Sequence, residues 1–435
     1  MPAPTNRELD RQILSLAIPA VFALLADPLY DLTDTAILGH IGTSALAGAA
    51  LAATLLTTGY AVFIFLMFGT TATVSRLLGA GDERGALHHA VQALWLGAGL
   101  GVAVAAVLWP ISDRLIAIVG GRGAVAAAAG TYFRVSLAGF PALLIVMAGS
   151  GYLRGTRNTR TPLWIALATV ALNLVVEVVL IFGLGFGVGA SALGTVVAKS
   201  VAAVSYVVIV RSRARAGGVS LRPARDAMGS LSAAALPLFI RTAALRGALT
   251  IGTAVAGRLG EAQLAAYAIG FQIWMFLAYL ADGLEVSGQA LVGTFLGRSD
   301  PALARRVGVR ILRSAVVLGI GGAIVVWALR EVLPAVFVDD PVVRDLATMS
   351  LWWVAAMQPL NMVAFSLDGI LVGAGDLNFL AVAMIVSLVL FAPAALGVVW
   401  GGLGLGWLWA AVTLLMASRV ALLGLRFRSS SWATI

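Results

Sequence analysis

The sequence predicts an all-α polytopic membrane protein, with twelve transmembrane helices in two six-helix lobes, and three observations carry that prediction. Of its 435 residues, 60% are hydrophobic and only 11% charged, so its apolar surface exceeds what a water-facing exterior tolerates. Runs of about 20 apolar residues, enough to cross a hydrocarbon core of roughly 30 Å, recur between breaks rich in Gly, Pro or Arg. The second half of the chain then repeats the first. An outer-membrane barrel is excluded, because its strands are about 10 residues long and alternate apolar with polar, whereas these runs are longer and continuously apolar.

The spans are read at residues 12–38, 46–68, 87–110, 127–150, 162–182, 190–210, 231–256, 264–290, 309–330, 347–370, 378–399 and 405–425. The polar start M-P-A-P-T-N-R-E-L-D-R-Q leads into an apolar run longer than a signal-peptide core and without a small-residue cleavage site, so it is retained as span 1. Cysteine is absent, which removes disulfides, thiol nucleophiles and Cys-held metals. His40, His88 and His89 lie near loops and make neither a zinc nor a triad motif. The chain is therefore not read as an enzyme, and no cofactor or resident metal is expected.

The net charge of +9 follows membrane topology rather than a nucleic-acid patch. The N-terminus, even-numbered loops and C-terminal tail carry nineteen arginines, whereas the odd-numbered loops carry only Arg114, Arg122, Arg258, Arg330 and Arg344. By the positive-inside rule both termini are cytoplasmic, which predicts a multi-pass protein of the plasma membrane, in contact with lipid bilayer and not with nucleic acid. The run R-S-R-A-R-A-G-G-V-S-L-R-P-A-R is the cytoplasmic linker between spans 6 and 7.

The repeat is legible residue by residue. The segment S-L-A-I-P-A-V-F at 15–22 matches A-A-A-L-P-L-F-I at 233–240, with Pro19 facing Pro237 (237 minus 19 is 218). At the same offset Gly39 and Gly42 face Gly257 and Gly260, Asp82 faces Asp300, Pro141 faces Pro359, and Gly151 and Gly155 face Gly369 and Gly373. Each unit has an even number of spans, so both enter the membrane the same way, as parallel repeats about the membrane normal do in transporters. The predicted division is an N-terminal lobe at 1–210, a linker at 211–228 and a C-terminal lobe at 229–435, in a monomer. Proline inside a membrane helix is tolerated and can bend it; Pro19 and Pro28 are read as bends in span 1, and Pro141 with Pro359 as a shared bend.

Charges inside the spans cost at least about 2.5–3.5 kcal/mol near the bilayer centre and mark ion or substrate paths. On span 1, Asp27, Asp31 and Asp34 follow i, i+4, i+7 spacing and share one face, with Tyr30 one turn before Asp34. On span 5, Asn173 and Glu177 are i, i+4, and on span 6 Thr195 and Lys199 repeat that spacing. Desolvation favours the neutral form of a buried carboxyl group, and a second carboxylate nearby favours it further, so Asp34 with Glu177 is read as a proton-binding pair. Asp27 and Asp31 are read as ion-paired or water-reaching, and as candidates for the cavity with Lys199. The second lobe has no acidic copy of this pair. It contributes Arg241 and Arg246 on span 7 and Asp282 and Glu285 on span 8, read as a lobe–lobe ion network or as part of a substrate cavity.

At these residues the chain resembles the multidrug and toxic compound extrusion (MATE) family, nearest to its DNA-damage-inducible F type. The resemblance is carried by D-P-L-Y-D-L-T-D-T-A-I-L-G-H-I-G from Asp27, G-Y-L-R-G-T-R-N-T-R-T-P-L from Gly151, and L-A-D-G-L-E-V-S-G-Q-A-L-V-G from Leu280. It implies two lobes around a central cavity, alternating access, and export driven by inward flow of H+ or Na+. It also implies that Asp34, Asn173, Glu177, Tyr30 and Thr195 form a cation-coupling site, with Na+ at Asp34, Asn173 and Glu177 as the alternative to H+, and that Pro19 bends the first helix. Asp31 and Lys199 match no general family position.

The favoured function is proton-coupled antiport of small amphiphilic organic compounds, which suits a cavity binding by apolar contact with a few polar anchors. The alternatives are a flippase for lipid-linked precursors, which a groove lined by Arg134, Arg241 and Arg246 would favour, and a Na+-coupled exporter of organic anions.

Overall fold

The computed structural model describes residues 4–429 and 431–434, and their side chains except at 27, 32, 36, 61, 225–235 and 434. Among these every regular element is helical. In chain order they are α1 (Asn6–Ile41), α2 (Thr43–Ala61), α3 (Phe65–Gly79), α4 (Glu83–Ile118), α5 (Gly123–Ala138), α6 (Phe140–Gly155), α7 (Arg160–Val178), α8 (Val188–Ala216), α9 (Arg225–Leu259), α10 (Glu261–Gly297), α11 (Pro301–Leu329), α12 (Leu333–Phe337), α13 (Pro341–Ala374), α14 (Leu377–Trp400) and α15 (Leu405–Ser429). Among the described residues, with α2 and α3 counted as one continuous span (Thr43–Gly79), eleven spans are long and apolar enough to cross a membrane, and the bent pair α5 and α6, taken as one, gives twelve. Large apolar side chains such as Trp164, Val317, Val336 and Trp400 are exposed, as hydrocarbon contact requires. Helices satisfy their own backbone polar groups, which is why they alone build this lipid-facing architecture.

The 218-residue offset reappears as repeated local structure. Gly42 and Gly260 precede α2 and α10 with φ of 143° and 133°, a backbone region where a side chain would be strained. Asp82 and Asp300 cap α4 and α11, accepting from Gly85 N at 2.7 Å and Leu303 N at 2.9 Å. The G-x-x-x-G pairs are close-packing faces. A Cβ on Gly151 would lie 2.5 Å from Met67 O, and one on Gly369 only 2.3 Å from Glu285 O, so α6 on α3 and α13 on α10 approach to backbone contact. The prolines behave less symmetrically. At Pro141 the chain breaks between α5 and α6 with a 48° bend, whereas α13 continues through Pro359, so the shared bend predicted for this pair occurs as a helix break only in the first copy. Gly139, which ends α5, corresponds to Met357 in α13. The first helix, α1, runs unbroken through Pro19 and Pro28.

The chain forms two compact units, Phe22–Ala235 and Met1–Val21 with Leu236–Ile435, called here the N- and C-terminal units. Residues up to Val21, placed with the first lobe on sequence grounds, thus belong to the C-terminal unit, and the reason is visible in their contacts. Leu9 and Ile13 are fully buried. Ser287 donates to Ile13 O at 3.0 Å, Arg306 gives two hydrogen bonds to Asn6 Oδ1 at 3.0 and 2.7 Å, and Arg310 grips both oxygens of Asp10. The N-terminal unit holds the approach to α9 in a parallel way. Gln92, fully buried, donates to Arg222 O at 3.0 Å and accepts from Ala224 N at 2.8 Å, while Trp95 donates to Leu221 O at 2.9 Å. Gln92 and Arg310 occupy equivalent repeat positions (310 minus 92 is 218).

Candidate functional site

Three helices of the N-terminal unit bring polar side chains to one place. Tyr30 and Asp34 lie one turn apart on α1, Asn173 and Glu177 one turn apart on α7, and Ser191 and Thr195 one turn apart on α8, each pair projecting from one face of its helix. The α8 face is built from small residues, so α7 can come close: a Cβ on Gly194 would lie 3.2 Å from Asn173 Nδ2 and 3.6 Å from Glu177 Cβ. Asp34, Asn173, Glu177 and Ser191 are all buried.

The hydrogen bonds have a direction. Tyr30 OH bonds Thr195 Oγ1, and because the threonine hydroxyl donates to Ser191 O at 3.2 Å, the tyrosine is the donor. The Ser191 hydroxyl donates to Asp34 Oδ1, and Tyr132 OH on α5 donates to Asp34 Oδ2 at 3.4 Å. Glu177 lies beside both Asp34 and Ser191, yet neither of its oxygens accepts a hydrogen bond from the described residues, and neither side-chain polar atom of Asn173 has a partner there. No ion pair to Asp34 or Glu177 is found among the described residues. The two carboxyl groups are thus buried side by side, and no cationic side chain among the described residues balances them.

The five residues Tyr30, Asp34, Asn173, Glu177 and Thr195 thus converge. Asp31, on the same helix, is exposed, Lys199 is half-buried one turn beyond Thr195, and the side chain of Asp27 lies outside the described residues. Two residues were missed from sequence. Ser191 sits one turn before Thr195, so extending that stripe backwards would have found it; Tyr132, on a helix with no intramembrane acid near it, gave no signal.

The second-lobe charges form a separate cluster inside the C-terminal unit. Arg241 donates to Asp368 Oδ2 at 2.8 Å and lies 3.8 Å from Glu285 Oε1, Arg419 binds the same Asp368 oxygen, and Gln289 donates to Glu285 at 3.2 Å. Arg419 also lies over the Phe365 ring. All four charged groups are buried. Asp282, half-buried, lies within electrostatic range of Arg241, and Arg246 is exposed. Arg134 pairs instead with Asp113 and Ser112.

Comparison with known proteins matches the duplication directly. The MatE family model fits residues 19–179 and again 237–396. The chain belongs to the MATE family. Protein DETOXIFICATION 44, chloroplastic, of Arabidopsis thaliana is 30% identical to this MATE transporter over 436 residues, covering 96% of this chain and 82% of its own. DNA damage-inducible protein F of Escherichia coli K12 is 28% identical, covering 97% and 94%. Among solved structures, a MOP superfamily transporter from Pyrococcus furiosus superposes with a TM-score of 0.89 at 21% identity, covering 98% of this chain and 97% of that one. The Vibrio cholerae MATE transporter VcmN in its bent form gives 0.89 at 18% identity, with the same coverage. At these identities the structural likeness shows the fold. The family and its structural neighbours are transporters, not enzymes.

Proposed function

We propose that this MATE transporter is a proton-coupled antiporter that exports amphiphilic organic compounds across the plasma membrane, with both termini in the cytoplasm, and that Asp34 and Glu177 hold the coupling proton. The observation that carries this reading is the buried carboxylate pair, which has no ion pair among the described residues and in which neither Glu177 oxygen accepts a hydrogen bond from them. A proton entering the pair removes one of two desolvated negative charges and supplies the missing donor. Its departure restores repulsion between the acids, so loading and unloading change the forces among α1, α7 and α8. Tyr30, Thr195 and Tyr132 tie α1 to α8 and α5, which makes that change mechanical.

The proton is favoured over Na+ because Ser191 and Tyr132 already turn hydrogen, not lone pairs, toward Asp34. The flippase alternative needs free cations along a groove, whereas Arg134 and Arg241 are each committed to acidic partners. Names of relatives such as "Multidrug export protein MepA" of Staphylococcus aureus support drug-like amphiphiles as the substrate class.

The test is transport of a panel of organic cations, anions and neutral amphiphiles in proteoliposomes under an imposed pH gradient or an imposed Na+ gradient. The expected result is pH-driven transport that Asp34→Asn and Glu177→Gln reduce to background. Transport driven by Na+ alone, or unaffected by Asp34→Asn, sinks the proposal.

A further inference from the structure

Serine and threonine buried in these helices mostly donate back to a carbonyl one turn earlier on their own helix. Thr70, Thr71, Thr294 and Ser387 do so, to Leu66, Met67, Ala290 and Ala383, as does the less buried Ser205 to Val201. Ser191 does not. Although fully buried in the first turn of α8, it turns its hydroxyl away from its own backbone and gives it to Asp34. Its equivalent in the second half is Trp409 (409 minus 191 is 218), so the hydroxyl is no part of the duplicated scaffold.

A hydroxyl has one hydrogen to donate, and here two carboxylates stand next to it. Glu177 lies beside Ser191 as well as beside Asp34, and Tyr132, the second donor to Asp34, is also within reach of Ser191. Among the described residues the hydrogen bonds are therefore unevenly shared: Asp34 accepts from Ser191 and Tyr132, while neither Glu177 oxygen accepts one, although Ser191 stands next to it. Hydrogen bonds from O–H groups stabilise a carboxylate as the anion, so the unserved member is the one left to carry a shared proton.

We propose that Ser191 is a positioning residue that decides where the coupling proton rests: by donating to Asp34 it leaves the proton on Glu177. This rests on the reading of the pair as the proton site. Passing the proton from Glu177 to Asp34 breaks one O–H bond and forms one, leaves the pair's total charge unchanged, and requires the serine hydroxyl to rotate toward Glu177. The other groups facing the pair are Tyr30 from α1 and Tyr132 from α5, with Lys199 two turns further along α8. Of these Tyr132 donates to Asp34 at 3.4 Å, while the Ser191 hydroxyl stands next to both acids.

The experiment compares pH profiles of gradient-driven transport for wild type, Ser191→Ala, Ser191→Thr and the control Ser205→Ala, all in proteoliposomes and all checked for monodispersity. A hydrogen bond to a charged group contributes about 1.5–3 kcal/mol, so Ser191→Ala is expected to move the midpoint by about one pH unit or more toward alkaline pH. Ser191→Thr, which keeps the hydroxyl, and Ser205→Ala are expected to match wild type. A second readout is the infrared band of a protonated carboxylic acid, expected to vanish in Glu177→Gln and persist in Asp34→Asn. If wild type is not pH-driven, the underlying proton-pair reading fails. If wild type is pH-driven but Ser191→Ala superimposes on it, if Ser191→Thr shifts as far as Ser191→Ala, or if the band follows Asp34, the assignment to Ser191 is overturned.

Discussion

The two halves of this protein share a scaffold and treat charge in opposite ways. In the N-terminal unit the acids Asp34 and Glu177 sit together with hydroxyl and amide neighbours and, among the described residues, no ion-pair partner. At the equivalent places in the C-terminal unit stand Gly252, Ala395, Phe391 for Asn173, and Trp409 for Ser191. That space is filled with rings. A Cβ on Gly252 would meet Tyr267 OH at 2.6 Å and Phe391 at 3.8 Å, and Trp409 packs on Tyr267 with centroids 5.1 Å apart. The C-terminal unit keeps its own acids elsewhere, at positions where the first half has Met67 and Ser150, and surrounds them with Arg241 and Arg419. A buried acid with a fixed cation is a structural element, because its charge is permanently compensated; under the proposed function, a buried acid without one serves a mobile cation. The two copies share their helices and differ in this use of charge.

The largest test of that contrast removes one acid from each region. Asp368→Asn removes the carboxylate that two buried arginines share, leaving Glu285 beside Arg241 at 3.8 Å, and is expected to cost about 3–5 kcal/mol, read as a marked drop in thermal unfolding midpoint in detergent. Asp34→Asn relieves repulsion instead, so its midpoint is expected at or above that of wild type while driven transport is lost. Equal destabilisation by both substitutions would dissolve the distinction. Next in size is an attempted transplant. Gly252→Asp puts an acid at the site equivalent to Asp34, but overpacking against Tyr267 is expected to cost about 1–3 kcal/mol without restoring transport to an Asp34→Asn background.

How much of this was legible in the sequence depends on the distance over which the information acts. Spans followed from runs of apolar residues, the repeat offset from matching the halves, and the polar stripes on α1, α7 and α8 from i, i+4 spacing within single helices; that Asp34, Asn173 and Glu177 belong to one group was implied by the family resemblance. The G-x-x-x-G and Gly42/Gly260 positions were visible as matches across the halves, although their reason, backbone contact and positive φ, needed coordinates. What failed were pairings between distant segments. Asp368 and Arg419 are also charges within predicted spans, but nothing local says that residues 127 and 51 positions apart meet, as Arg241 with Asp368 and Arg419 with Asp368 do. Arg246 was grouped with Arg241 because they are neighbours in sequence, yet five residues on a helix turn them to different sides: one is buried and one exposed.

Two smaller effects complete the comparison. Asp10→Ala removes a two-pronged but partly exposed pair with Arg310, whose side chains are 34% and 23% exposed; the expected loss is about 1 kcal/mol, measured by the same thermal assay. Asp113→Ala removes a more exposed pair with Arg134, at 79% and 38% exposure, and is expected to change stability by less than about 0.5 kcal/mol. A larger effect there would mean that the outer ends of α4 and α5 do more than meet.

The grip on the start of α1 sets a rule for how the chain can be divided. A six-helix half taken alone would keep the residues that hold a first helix while sending its own first helix nowhere: Arg310 and Ser287 would lack Asp10 and Ile13, and Gln92 would lack residues 222–224. Two halves present together satisfy each other by exchange, each lending its leading segment to its sibling. Separately translated fragments cut within 211–221 should accordingly be insoluble singly and recover one another when made in the same cell, because neither half is a finished object without the strand of helix it borrows.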